Sequence, residues 1–176
     1  TVTVIDTATN TVVATVSVGL APRGVAISPD GSRAYVAIDR SNSVTVIDTA
    51  TNTVIDSIGV VDRASNVAFS PDGTRAYVGQ GGFWSGISFV DTATDTVISS
   101  HQIGDVVTGV AVSPDGSRVY VSNGQGYISV FDAQTAGHIA DITIGRASGV
   151  PDAVAISPDG TRAYVALYAM GTNTSM

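Results

Sequence analysis

Short stretches in which Val, Ile, Thr and Tyr alternate with polar residues recur along the whole chain, each bounded by Gly, Pro, Asn or Asp. Period-two alternation in runs of five or six residues is the pattern of strands joined by tight turns. One period contains four such runs, 24–28, 33–38, 43–48 and 53–59. Glu and Lys, two good helix formers, are absent, and no window carries apolar residues at 3.6-residue spacing. The chain is therefore expected to be all-β.

The runs belong to a repeat. Ser-Pro-Asp-Gly-[Ser/Thr]-Arg starts at Ser28, Ser70, Ser113 and Ser157, which sets Pro29, Pro71, Pro114 and Pro158 at intervals of 42, 43 and 44 residues. An apolar-Asp pair leading into a Thr-rich turn recurs at Asp6, Asp48, Asp91 and Asp132. A period of this length with four strands predicts the blade of a β-propeller. In the first turn Pro presets the first central position and Gly supplies positive φ; in the second, Asn takes the left-handed position and the leading Asp accepts backbone N–H groups.

The segments Arg33-Ala-Tyr-Val-Ala, Arg75-Ala-Tyr-Val-Gly, Arg118-Val-Tyr-Val-Ser-Asn and Arg162-Ala-Tyr-Val-Ala, each placed between Ser-Pro-Asp-Gly and a Val-Ile-Asp-Thr-Ala-Thr-like turn, resemble the YVTN-type β-propeller repeat family. Tyr120-Val-Ser-Asn is the nearest to the family's namesake tetrapeptide, and the other copies lack the Asn. The resemblance implies an extracytoplasmic protein, secreted, periplasmic or at the cell surface, with a binding role and no shared catalytic residue.

With strands lettered A to D from the hub outward, residues 1–19 form a C–D pair, 24–59, 66–104 and 109–145 form full blades, 153–167 form an A–B pair, and 168–176 are a tail, all within one domain of 1–176. The two half-blades predict a ring of four blades closed by a two-plus-two strand clasp. The alternatives are a segment of a larger ring, the resemblance implying about seven blades, and two chains joined head to tail into a ring of eight. The chain opens at Thr1 inside a strand pattern, so further sequence is expected before it.

Antiparallel strands place A–B and C–D turns at one pole and B–C and D–A connections at the other. The monotonous turns thus share one pole and the irregular loops the opposite one. The net charge of -7 divides unevenly: Arg23, Arg40, Arg63 and Arg146 in the irregular loops balance Asp39, Asp62, Asp105 and Asp152. Arg33, Arg75, Arg118 and Arg162 belong to the repeated turn and are expected to brace the Asp three residues before each. The surplus lies on C–D turns and outer strands. An acidic chain without Lys excludes a nucleic-acid partner, and no apolar run reaches the ~18 residues of a membrane-spanning helix.

The predicted ligand-binding residues are Arg40, Arg63 and Arg146, which offer bidentate contacts to anionic groups, Phe83 and Trp84 in the glycine-rich loop 79–86, and Asn123 in the loop 122–126. Trp84 either stacks on a ligand or folds back as a plug over the hub. His101 and His138 fall in different outer strands and are expected to be solvated rather than metal ligands; no catalytic or metal site, and no cofactor, is expected. Asn173-Thr-Ser is a formal glycosylation sequon. The function expected from the sequence is non-catalytic recognition of a protein, glycan or small anionic ligand on the irregular-loop face; the alternative is a propeller hydrolase or lyase using loop-face Asp residues and a divalent metal. The chain is a monomer if the ring closes, and otherwise a homodimer or part of a longer propeller.

Overall fold

The alternating runs build sixteen strands and, among the described residues, no helix. A computed structural model describes residues 1–144 and 149–168; Arg146 and the sequon at Asn173 lie outside them. β1 (Val2–Asp6) and β2 (Thr11–Val16) form a first hairpin. The first full blade is β3 (Pro22–Ile27), β4 (Arg33–Ile38), β5 (Ser43–Asp48) and β6 (Thr53–Gly59). The second is β7 (Ala64–Phe69), β8 (Arg75–Gln80), β9 (Gly86–Asp91) and β10 (Thr96–Gln102). The third is β11 (Val107–Val112), β12 (Arg118–Asn123), β13 (Tyr127–Asp132) and β14 (His138–Thr143), and β15 (Val150–Ile156) with β16 (Ala163–Tyr168) ends the order. Each full blade is a four-stranded antiparallel meander.

Register repeats from blade to blade. The B–C ladder is unbroken and sets Arg33 opposite Asp48, Arg75 opposite Asp91 and Arg118 opposite Asp132. The A–B and C–D ladders each carry one irregularity, as between Val107 and Gly109 and between Val46 and Ile47, which increases the local twist. Twisted sheets then stack face to face, with the core between them. Tyr35, Val44, Val46 and Ile58 of the first blade close on Ala76, Val78 and Val90 of the second. Tyr77, Ile87 and Phe89 close on Val119, Val121 and Phe131 of the third. The Tyr35 and Phe69 rings lie 4.7 Å apart, and Phe89 meets Phe131 at 6.0 Å.

The expected two-plus-two clasp does not form. β1–β2 and β15–β16 are separate two-stranded sheets, and the inner strands pack in an open row, β3 on β7, β7 on β11 and β11 on β15. Val25 and Ile27 on β3 are exposed where a closed ring of four would bury them. The reason is angular: four blades require a turn of about 90° between neighbours and seven only about 51°, and face-to-face sheets with large interlocked side chains favour the smaller angle. The repeated tyrosine records the arc. Tyr35 and Tyr77 are fully buried, Tyr120 is half-buried, and Tyr164 is 61% exposed, because each is covered by the blade that follows.

Candidate functional site

The pole of repeated turns spends its polar groups on itself. Ser28 Oγ donates to Asp30 Oδ1 at 2.6 Å and accepts from the Arg33 amide at 3.0 Å, while the Ser32 amide reaches the same carboxylate at 3.0 Å. The arrangement recurs at Ser70, Ser113 and Ser157. The serine hydroxyl and the following amide and hydroxyl hold Asp30 and Asp115 down at about 2. Successive turns nest, so that a Cβ on Gly73, at φ 73°, would meet Pro29 at 3.3 Å.

Arg33 corrects the expectation that each turn arginine braces its own Asp. Its Nη1 donates to Asp95 Oδ2 at 2.9 Å and to the Thr92 carbonyl at 3.1 Å, both in the C–D turn of the next blade. The Tyr35 hydroxyl donates to the other oxygen of Asp95, and burial pushes the phenol well above its ordinary range. Arginine and tyrosine here lock blade to blade.

At the opposite pole B–C and D–A loops are tied by the amide of Asp39 to the carbonyl of Ala21, Gly81 to Arg63, and Gly124 to Val106. The loops differ in sequence but share this rung, so the rim is held while its side chains vary. Inside it, where inner strands converge at the hub, a cleft of about 330 Å³ is lined by Arg23, Ser65, Asn66, Thr108 and Asp152, with Val106 and Val107 as its apolar wall. Gly24 permits the convergence: a Cβ there would come within 2.8 Å of the Ser65 carbonyl.

Two hydroxyls in this cleft are already committed. Ser65 Oγ donates toward the carbonyls of Gly79 at 3.0 Å and Val107 at 3.2 Å, and Thr108 Oγ1 reaches the Pro151 carbonyl at 2.7 Å. They stitch inner strands together and are not nucleophiles paired with a base. The charged groups are Arg23, whose Nε lies 3.5 Å from Asp39 while the guanidinium is largely exposed, and the exposed Asp152. An arginine and a carboxylate on one small cleft can bind an anionic oxygen and orient a water or hydroxyl.

Of the sequence-predicted residues that are described, none lines this cleft. Arg40 and Arg63 are exposed. Asn123 is buried, its Oδ1 accepting the amides of Gln125 and Tyr127, so it closes its own turn. Asp62 accepts the amides of Arg63 and Trp84 at 2.8 Å each, the Trp84 bond being the main cause of its lowered pKa. That bond pins the loop so that Phe83 is fully exposed and the Trp84 ring lies over Gly86 at the start of β9. Trp84 covers a blade flank, not the hub. Arg23 was visible as one of four loop arginines, but nothing local in sequence separates it from the others.

Both histidines serve packing. His101 sits between Phe89 and Phe131. His138 and Ser129 both bond Asp141 Oδ1, at 3.0 and 2.7 Å, an order with the acid in the middle that activates no nucleophile. Among the described residues no three His, Cys, Asp or Glu side chains gather as a metal site, and no helix is long and apolar enough to cross a membrane.

The family model described as "Lactonase, 7-bladed beta-propeller" matches residues 4–173. Among solved structures, a chain of Kuenenia stuttgartiensis hydrazine synthase is similar at a TM-score of 0.85 and 32% identity, over 93% of this chain and 48% of that one. The chain thus spans about half the length of that structure. None of the curated proteins matches.

Proposed function

The chain belongs to the family of seven-bladed β-propeller lactonases, and from that premise we propose that the hub-mouth cleft binds and hydrolyses a small cyclic ester carrying an anionic or polyhydroxylated ring, of the sugar-acid lactone class. The observation that carries this reading is the presence of both Arg23 and Asp152 in the lining of one polar cleft of about 330 Å³ at the irregular pole. Arg23 holds the ester carbonyl or a carboxylate of the ligand, and Asp152 takes the proton of the attacking water. Val106 and Val107 supply the apolar wall that excludes bulk water from one side. The reading uses no metal, since no ligand set for one gathers there among the described residues.

A second reading, recognition of such a ligand without turnover, is favoured by the committed hydroxyls of Ser65 and Thr108. An extracytoplasmic setting and a place among YVTN-type propellers belong to this proposal, supported by the repeated Arg-Ala-Tyr-Val segments. Following proton release from glucono-1,5-lactone in a pH-stat separates the readings. Turnover that falls at least tenfold in both Arg23→Ala and Asp152→Asn supports hydrolysis. Binding of gluconate without turnover supports recognition, and neither effect removes both.

A further inference from the structure

Arg33 and Arg75 hold the same place in successive blades, but the turns that face them differ. Arg33 Nη1 donates to Asp95 Oδ2 at 2.9 Å, the Tyr35 hydroxyl donates to the other oxygen, and the Asp95 side chain is only 10% exposed. Asp95 stands four residues after Asp91, at the left-handed position of its C–D turn. Ala136 stands four residues after Asp132 with the same backbone, φ 60° against 53°. Arg75 therefore meets a methyl group where Arg33 meets a carboxylate. Its Nε is buried with no hydrogen-bond partner, and among the described residues it forms no ion pair. The Tyr77 hydroxyl has only the Ala133 carbonyl, at 3.3 Å.

The neighbouring carboxylates are already engaged. Asp91, opposite Arg75 in the ladder, accepts the amides of Ala93 and Thr94 at 2.9 and 3.1 Å. Asp132 accepts those of Gln134 and Thr135 at 3.0 and 2.7 Å. Between Arg75 and the turn lies a cleft of about 200 Å³, polar along Arg75, Gln134 and Thr135 and apolar along Phe89, Ile98 and Ala136. Ile98 reaches it because the β9–β10 register shifts between Val97 and Ser99 and leaves Ile98 as the extra residue of a bulge. A guanidinium fork beside an apolar wall selects a planar two-oxygen anion with a short hydrocarbon tail over a hydrated spherical ion.

We propose that this cleft between the second and third blades binds a small aliphatic monocarboxylate. The carboxylate takes the guanidinium of Arg75 as that of Asp95 takes Arg33, and the tail lies against Phe89 and Ile98. Acetate reproduces the aspartate side chain beyond Cα, so it restores from solution the group that Ala136 does not carry. Propionate adds one carbon for the apolar wall. The cleft lies at the pole of repeated turns, opposite to Arg23 and Asp152, and both of its walls belong to complete blades. A ligand there bridges two blades and acts on the stability of the fold.

The test is a titration of the isotope-labelled 176-residue chain with sodium acetate and with sodium propionate, each against sodium chloride at equal ionic strength, followed through backbone amide shifts. Saturable shifts at Thr135 are expected with both acids, propionate binding about threefold tighter for its added carbon, and the Tm is expected to rise with either. Ala136→Asp supplies the carboxylate from the chain itself, and Arg75→Gln removes the cation. Each is expected to weaken acetate binding by roughly tenfold or more, with amide dispersion reporting that the variant is folded. A response matched by chloride, one that does not saturate, or one that a folded Ala136→Asp chain retains overturns the proposal.

Discussion

Arg33 in the first blade donates to Asp95 in the second at 2.9 Å, across the interface between two sheets and 62 residues along the chain. Asp95 also accepts the Tyr35 hydroxyl and sits with φ at 53°, so one residue closes a turn, receives a cation and anchors a phenol. Asp95→Asn keeps the left-handed preference and removes the charge, at an expected cost of about 1 kcal/mol. Asp95→Ala loses the turn preference as well and is expected to cost about 2–3 kcal/mol. Urea unfolding of the two variants checks the order.

The third blade lacks this lock. Ala136 occupies the position of Asp95, at φ 60°, and the buried Nε of Arg75 has no hydrogen-bond partner. Ala136→Asp relieves left-handed strain on alanine and gives Arg75 an acceptor, and Tyr77 an alternative to the Ala133 carbonyl that its hydroxyl reaches at 3.3 Å. It is expected to stabilise by about 1 kcal/mol, raising the Tm by roughly 2–4 °C. Ala136→Gly, which relieves only the backbone, is expected to give the smaller gain.

Stability is expected to fall at both ends of the pH scale for separate reasons. Asp30 and Asp115, at about 2 in the folded chain against 3.8 unfolded, contribute stability that is complete above about pH 4 and is lost as pH falls toward 2. Burial raises the Tyr77 phenol to about 12 from 10.0, so its contribution is complete below pH 10 and is lost as pH climbs through 12. Carboxylate titration by NMR checks the first: Ser28→Ala is expected to return Asp30 toward its ordinary value. Ultraviolet titration of the phenols checks the second.

Phe83 and Trp84 are neighbours with different work. Phe83→Ala removes a ring that touches solvent and is expected to change stability by less than about 0.5 kcal/mol. Trp84→Ala uncovers Gly86 and its edge of β9 and is expected to cost about 1–3 kcal/mol. Equal effects in thermal melts would contradict the placement of the Trp84 ring.

The four-stranded blade, the strand order and the division into poles were legible because Ser-Pro-Asp-Gly and Asp-Thr-Ala-Thr act locally: each encodes its turn in the residues that form it. Relations between blades were not. The partner of Arg33 lies one and a half periods away, and ring closure depends on an angle between sheets that no turn residue records. The same holds for the site. Arg23 and Asp152 line one cleft although they stand 129 residues apart in the sequence, whereas Phe83 and Trp84 announced themselves by composition and serve a loop.

The most direct test of a functional pole at the irregular loops is a titration of the isotope-labelled chain with gluconate, followed through backbone amide shifts. The account predicts saturable changes at Arg23, Gly24, Asn66, Thr108 and Asp152, abolished by Arg23→Ala. Changes confined to the Ser-Pro-Asp-Gly turns, or none that saturate, would contradict it.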